Sequence, residues 1–382
     1  MQLTGLLQQR ATRLVFFVAG LAMAAWAPLV PYAKARLQLD EATLGVLLLC
    51  LGAGSLCAMP FTGMLASRFG CRRVILCAGA VLVAVLPGLA LSATPLQLGL
   101  VLLMFGAAMG TFDVAINIQA VIIEKANGGA MMSGFHGMFS VGGFAGAASM
   151  ALLLWLGLSP AWSCVVVIVL LALLLAAAQA HLLPTASDSQ EKTPLFVMPH
   201  GAVIFIGLLC FITFLAEGAI LDWSALFLTT TRGVDPAQGG LGYAAFAIAM
   251  TIGRFTGDKV VARFGGRRVL ALGGLCAAAG FFLTVVAPNA GVALAGFVLV
   301  GLGAANIVPV LFTAAGKQTA MPASLAIAAI TTIGYAGILA GPAVIGFVAQ
   351  GTSLNLAFGM LGASLLLVAA SARLVTASRH SA

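Results

Sequence analysis

Apolar residues fill this chain in twelve long runs, and the polar stretches between them are short. The runs read as residues 13–34, 42–66, 73–92, 96–122, 131–157, 161–183, 202–229, 239–261, 268–287, 290–315, 323–350 and 354–376. Each is close to the ~20 residues that a helix needs to cross a bilayer. A barrel strand would alternate polar and apolar over ~10 residues, whereas residues 165–178 are apolar on every side. The pattern predicts an all-α polytopic membrane protein with twelve transmembrane helices, here called spans 1–12. Arg10, Arg13 and the Ala22-Met23-Ala24 run give span 1 some look of a signal peptide. The apolar run continues to Pro31, and removing it would spoil the pairing of the halves described next, so it is read as a span.

The spans form two similar sets of six. Arg68-Phe69-Gly70-Cys71-Arg72-Arg73 returns 195 residues later as Arg263-Phe264-Gly265-Gly266-Arg267-Arg268. Gly106 and Gly301 keep that offset, as do Gly142 and Gly337, and Gly146 and Gly341. The predicted organisation is two pseudo-symmetric six-helix bundles, 1–183 and 201–382, joined by a polar cytoplasmic tether at 184–200. A duplicated polytopic protein of this kind predicts a transporter whose site lies where the repeats meet. The pairs Gly106/Gly110, Gly142/Gly146 and Gly337/Gly341 stand at the small-x-x-x-small spacing of closely packed membrane helices. Such faces either hold helices together or slide during gating.

Composition narrows the function classes. The chain is 62% hydrophobic and 7% charged, with mean hydropathy +1.14, against roughly 25% charged residues in a soluble domain. No room remains for a soluble catalytic domain, so an enzyme is not expected. The net charge of +8 follows from topology rather than from nucleic-acid binding. With the N-terminus inside, fourteen Lys and Arg fall at cytoplasmic ends and three, Lys34, Arg36 and Arg232, at outer ones. That asymmetry puts both termini in the cytoplasm of a bacterial inner membrane. The seven cysteines form no C-x-x-C pair, and the histidines have no ligand spacing, so neither a disulfide framework, a metal nor a cofactor is predicted. Gly316-Lys317 is followed by Gln318 rather than Ser or Thr, which excludes an ATP-binding phosphate loop.

Candidate chemistry rests on a few polar groups inside spans. Asp113, Glu217 and Asp222 are the acids read as well inside. A mid-membrane charge is costly and persists where function or a partner holds it, and a carboxyl in apolar surroundings is more easily protonated. Gly106, Gly110, Asp113, Asn117 and Glu124 form one stripe of span 4, its upper part small enough for a helix or a ligand to approach. The structural alternative for Asp113 is a permanent pair with Arg254 or a loop arginine. Glu217 and Asp222 lie about 140° apart on span 7. Glu217 shares the face of Thr213 and Ser224 and is assigned to the lumen, and Asp222, nearer the outer end, to an outer gate. Trp26 and Trp223 occupy similar places in spans 1 and 7, as interfacial anchors or as flat walls over a bound ring. His136, Asn306 and Tyr335 are further candidates for a solute cavity.

The two R-F-G-x-R-R loops, each following the second span of its half, resemble the signature of the major facilitator superfamily, with Ser67 and Ala262 where that family usually has Asp. The resemblance implies its two-bundle fold and transport by alternating access. It also implies a gating role, beside topology, for Arg68, Arg72, Arg73, Arg263, Arg267 and Arg268, with Glu124 as an acidic partner. Asp113-x-x-x-Asn117 resembles the acid-x-x-x-Asn of the fucose–proton symporter branch, which implies proton coupling and sugar binding at this helix. Span 1 lacks the acid of that branch. Drug–proton antiporters carry an Arg where Leu102 stands and a Gly-Pro pair in span 5, which reads Ser140-Val-Gly-Gly-Phe-Ala-Gly146 here. Taken whole, the chain is similar to the YbjJ-type inner-membrane proteins of enteric bacteria. The expected function is proton-coupled uptake of a small polar solute such as a sugar or sugar derivative. The alternatives are proton-coupled efflux of drugs or metabolites, and a membrane sensor that does not transport. The partners expected are the solute, protons and the bilayer, with no nucleic acid, and the protein is expected to be a monomer.

Overall fold

A computed structural model describes residues 5–184, 198–235 and 238–376. Most of the tether, with Lys192, and the C-terminal stretch with Arg379 lie outside the described residues. Within them the chain is helical, with no strand. Ten helices are long and apolar enough to cross a membrane. One of these, Leu241–Val286, is two spans read through a joint at Gly265, and the shorter Leu354–Ala370 is the last. The twelve spans expected from the apolar runs are thus accounted for.

The joints follow from local chemistry. Spans 2 and 3 meet at Gly70 (φ 83°, ψ 150°), and spans 8 and 9 at Gly265 (φ 76°, ψ 150°). A side chain would be strained in that backbone region, which explains the glycine in each R-F-G turn. Span starts carry matched caps. Thr94 and Asn289, 195 apart, accept from the amides of Gln97 and Val292, and Ser159 and Ser353 from those of Trp162 and Leu356. Each satisfies an amide that helix geometry leaves without a partner.

Two spans are interrupted. Span 1 (Leu6–Leu37) breaks at residues 25–29, where Pro28 and Pro31 interfere with regular backbone bonding. Span 10 (Ala290–Lys317) breaks at Ala305–Asn306, just before Pro309. Trp26 sits at the first break and Asn306 at the second.

Glycine sets the packing, and it does so twice. A Cβ at Gly106 would overlap the Leu51 carbonyl, and one at Gly301 the Phe246 carbonyl. Spans 2 and 4 therefore meet as spans 8 and 10 do, with both members of the contact shifted by 195. Gly142 rests on Phe17 and Gly337 on Phe211, and Gly146 faces Leu21 as Gly341 faces Leu215. Spans 1 and 5 thus pair like spans 7 and 11. Van der Waals contact of this kind drives helix association where lipid leaves little hydrophobic force between helices.

By internal contact the chain divides into two compact units. One gathers Met1–Gly128, Met138–Met198 and Pro322–Ala328, and the other Gly129–Gly137, Pro199–Met321 and Ala329–Ala382. The start of span 5 therefore belongs with the second unit and the start of span 11 with the first. In the second unit the Gly134 amide donates to Asp258 Oδ2 at 3.0 Å. In the first, Gly63 is pressed against the Ser324 backbone.

Candidate functional site

In the first unit, span 4 (Pro95–Asn127) carries the acid. Gly106 and Gly110 of its small stripe receive span 2, at Leu51 and Ser55, and the Ser55 hydroxyl donates to the Gly106 carbonyl at 2.8 Å. The upper stripe is thus a helix contact, and the polar pair lies one to two turns below it. Asp113 is 9% exposed and Asn117 1%. Asn117 Nδ2 donates to the Asp113 carbonyl at 2.9 Å and lies 3.4 Å from Asp113 Oδ1. Among the described residues no ion pair reaches Asp113, and Asn117 Oδ1 is buried without a hydrogen-bond partner in the protein. Trp26, at the break in span 1, is 5% exposed, and its indole N–H is also without one. It is buried, unlike Trp155 and Trp162 at the facing ends of spans 5 and 6, whose exposure suits interfacial anchors. Glu124 is buried near the end of span 4.

In the second unit the chemistry is a charge pair. Arg254 Nη2 of span 8 lies 3.8 Å from Glu217 Oε2 of span 7. The other carboxylate oxygen of Glu217 is buried without a hydrogen-bond partner in the protein. Thr213 and Ser224, on the Glu217 face, are buried, and Thr213 bonds back to the Leu209 carbonyl. Asp222 is exposed. Trp223 is half-buried and its ring edge packs at Gly346 of span 11. Tyr335 meets the Phe214 ring edge-on at 6.1 Å, and His136, from the start of span 5, meets Phe312 at 5.7 Å.

Asn306 holds the break in span 10 to span 8. Its Nδ2 donates to the Gly253 carbonyl at 3.1 Å, and its amide fills the space that a Cβ at Gly257 would need. Its amide nitrogen therefore joins two helices, while its carbonyl oxygen is buried without a hydrogen-bond partner in the protein.

The arginines of the joints are matched as well. Arg68 lies over the Phe69 ring and Arg263 over the Phe264 ring, each at 5.5 Å. The Arg72 amide donates to the Leu183 carbonyl at 2.8 Å, tying the start of span 3 to the end of span 6. The two arginines assigned to outer loops also have structural tasks. Arg36 donates to the Ser92 and Leu89 carbonyls at the end of span 3, and Arg232 to those of Thr284 and Val285 at the end of span 9. Cations suit those helix C-termini.

Two features escaped the sequence reading. Arg254 was weighed there as a partner for Asp113, and it pairs with Glu217 instead. Asp258, half-buried in span 8, was not counted among the intramembrane acids. It stands 195 residues after Gly63, five residues before the repeated R-F-G-x-R-R motif, so an acid there was a visible departure from the repeat. A groove of about 560 Å³, lined by apolar residues of spans 2–4 such as Leu65, Val74 and Met104, reaches Arg73 of the first R-F-G joint but none of the candidate acids or solute contacts.

Comparison with known proteins agrees with this architecture. The sequence model described as Major Facilitator Superfamily matches residues 14–227 and 206–382. The chain is 60% identical over 372 residues to an uncharacterized MFS-type transporter of Yersinia pestis, covering 97% of each. It is 32% identical over 356 residues to an uncharacterized transporter of Sinorhizobium fredii, covering 93% of this chain and 94% of that one. Among solved structures, the Escherichia coli fucose:proton symporter FucP superposes with a TM-score of 0.80 at 16% identity, over 98% of this chain and 99% of that one. The proton:xylose symporter XylE does so at 0.69 and 15%, over 96% and 94%.

Proposed function

The chain belongs to the Major Facilitator Superfamily, and we propose that it takes up a small polar solute, a sugar or sugar derivative, together with protons. Membership makes it a multi-pass membrane transporter of small molecules and not an enzyme. The finer reading is carried by one observation. Asp113 is buried in a membrane helix with Asn117 one turn away and no cation paired to it among the described residues. An unneutralised buried carboxylate is costly, and taking up a proton removes the charge. Asp113 is therefore assigned as the main proton carrier, with Glu217 assisting and Asp222 at the outer end. Solute contacts are assigned to Asn117, Trp26, Trp223, His136, Asn306 and Tyr335. Amides and aromatic rings suit hydroxyl groups and the flat face of a sugar ring. The likeness in fold to FucP, a fucose:proton symporter, and XylE, a proton:xylose symporter, favours the same direction of coupling.

The Arg68/Arg72/Arg73 and Arg263/Arg267/Arg268 clusters, with Glu124, are assigned to gating on the cytoplasmic side. We place the protein, as a monomer, in a bacterial inner membrane with both termini inside, on the strength of the fourteen-to-three basic asymmetry. The test is a thermal-shift screen of purified protein against sugars, sugar acids and lipophilic cations at two pH values, followed by uptake of the best ligand into proteoliposomes. Accumulation driven by an inward proton gradient is the expected result. Saturable binding of lipophilic cations alone, displaced by protons, would make the protein an antiporter.

A further inference from the structure

We propose that Arg254 is an anion site, and that the transported solute carries one carboxylate, which displaces Glu217 from it. The inference deepens the symport reading and rests on it for the word transported. Its geometry stands on the second unit alone.

Three observations carry it. First, the Arg254–Glu217 pair is loose. A guanidinium–carboxylate hydrogen bond closes to about 2.7–2.9 Å, and here the nearest approach is 3.8 Å, with the second Glu217 oxygen buried and without a hydrogen-bond partner in the protein. The Glu217 carboxylate thus makes less than its full complement of bonds, and leaves the pair at a lower cost than a closed carboxylate would.

Second, the scaffold does not need the pair. The glycine contacts align the two halves, at offsets of 194 for spans 1 and 7 and 195 for spans 2 and 8. The positions matching Glu217 and Arg254 are then Met23 and Met59. The glycine contacts of spans 1 with 5 and 2 with 4 form in a half that carries two methionines there, so those contacts do not depend on the charges.

Third, a guanidinium offers a planar fork of donors that fits a carboxylate through two parallel bonds. One arginine balanced by one glutamate matches one negative charge on the ligand. A dianion would leave net charge in the membrane.

The displacement balances. The solute carboxylate takes the Arg254 fork, and Glu217 takes up one proton, so the site stays neutral overall. Other titratable or charged groups within electrostatic reach of the pair are Tyr243 on the Arg254 helix, Cys210 on the Glu217 helix and His136 from the start of span 5, with Asp222 reaching Tyr243. None of them is a second cation that could replace Arg254.

The experiment uses full-length protein and acetate as the probe. Glu217→Ala opens space for a small carboxylate beside Arg254. Acetate should raise its thermal midpoint saturably by several degrees, leaving wild type and the Glu217→Ala/Arg254→Ala double variant unmoved. Glu217→Gln serves as the near-isosteric variant should the alanine form aggregate. Glucuronate should then stabilise it at least tenfold more tightly than glucose does, and Arg254→Gln should abolish that preference. Failure of acetate to stabilise a monodisperse Glu217 variant would overturn the proposal. So would equal stabilisation of single and double variants, or glucose binding to wild type as tightly as glucuronate. Acetate rescue in a protein that accumulates no solute under a proton gradient would support the anion site and overturn the symport reading.

Discussion

The two halves of this molecule repeat one another where helices touch and differ where charges are buried. The repeated part includes the R-F-G joints, the span caps, the arginines on the ends of spans 3 and 9, and the glycine contacts of spans 2 with 4 and 1 with 5. The part that is not repeated comprises a few polar residues, among them the half-buried Asp258 where the first half has Gly63. Asp113 and Asn117 in the first half match Val308 and Phe312 in the second, both buried. Glu217 and Arg254 in the second match Met23 and Met59 in the first. The two halves share what packs and carry different polar groups at positions where the twin is apolar. Burial of a charge in a membrane span is expensive, so these unmatched residues are where function is to be sought.

Variants can break that comparison. The largest effect belongs to the repeated skeleton. Gly106→Val and Gly301→Val each drive a side chain into a facing carbonyl. Each should cost more than ~3 kcal/mol and remove the monodisperse peak on size exclusion. A half that tolerated its glycine change would not share the skeleton of its twin.

Next comes Arg254→Gln, which leaves Glu217 without its charge partner. Removing one member of a buried pair costs about 3–5 kcal/mol, less here because the pair is loose. The thermal midpoint should fall, and Glu217→Gln in the same chain should restore most of the loss. A loss that the second change does not restore would mean that Arg254 stabilises through contacts other than Glu217.

Smaller again are Arg36→Gln and Arg232→Gln. The first removes two charge-assisted bonds to helix-end carbonyls and the second three, on the order of 1 kcal/mol after solvent screening. The effect should be greater for Arg232, which is less exposed. The smallest is Ser55→Ala, at about 0.6 kcal/mol, the average for an interhelical hydrogen bond in a membrane. Unequal signs for the two arginines would sharpen the comparison by showing that the halves differ in their outer ends as well.

Much of this was legible in the sequence. Hydropathy marked all twelve spans, because a bilayer imposes a length and a composition that few other environments require. The offset of 195 marked the repeat, and glycine spacing marked faces that do pack. Partner choice was less legible. The stripe of span 4 left open whether Gly106 and Gly110 received a helix or a ligand, and only the position of Leu51 and Ser55 in space decides that. Arg254 had two acids within plausible reach in sequence, Asp113 and Glu217, and side-chain geometry in the second unit joins it to Glu217. Asn306 reads as a cavity polar group in a list of residues. The break at Ala305–Asn306 turns it toward Gly253 and Gly257. Asp258 was hidden by its place near a span end, where an acid is unremarkable until the Gly134 amide is found on it.

The central claim is that the unmatched charges serve transport and the matched contacts serve the fold. The most direct measurement compares Asp113→Asn with wild type in one preparation, recording thermal midpoint, solute counterflow and gradient-driven accumulation together. The account predicts a midpoint within a few degrees of wild type, counterflow retained, and accumulation lost by at least tenfold. A midpoint that collapses like that of Gly106→Val, or accumulation that persists at the wild-type level, would contradict it.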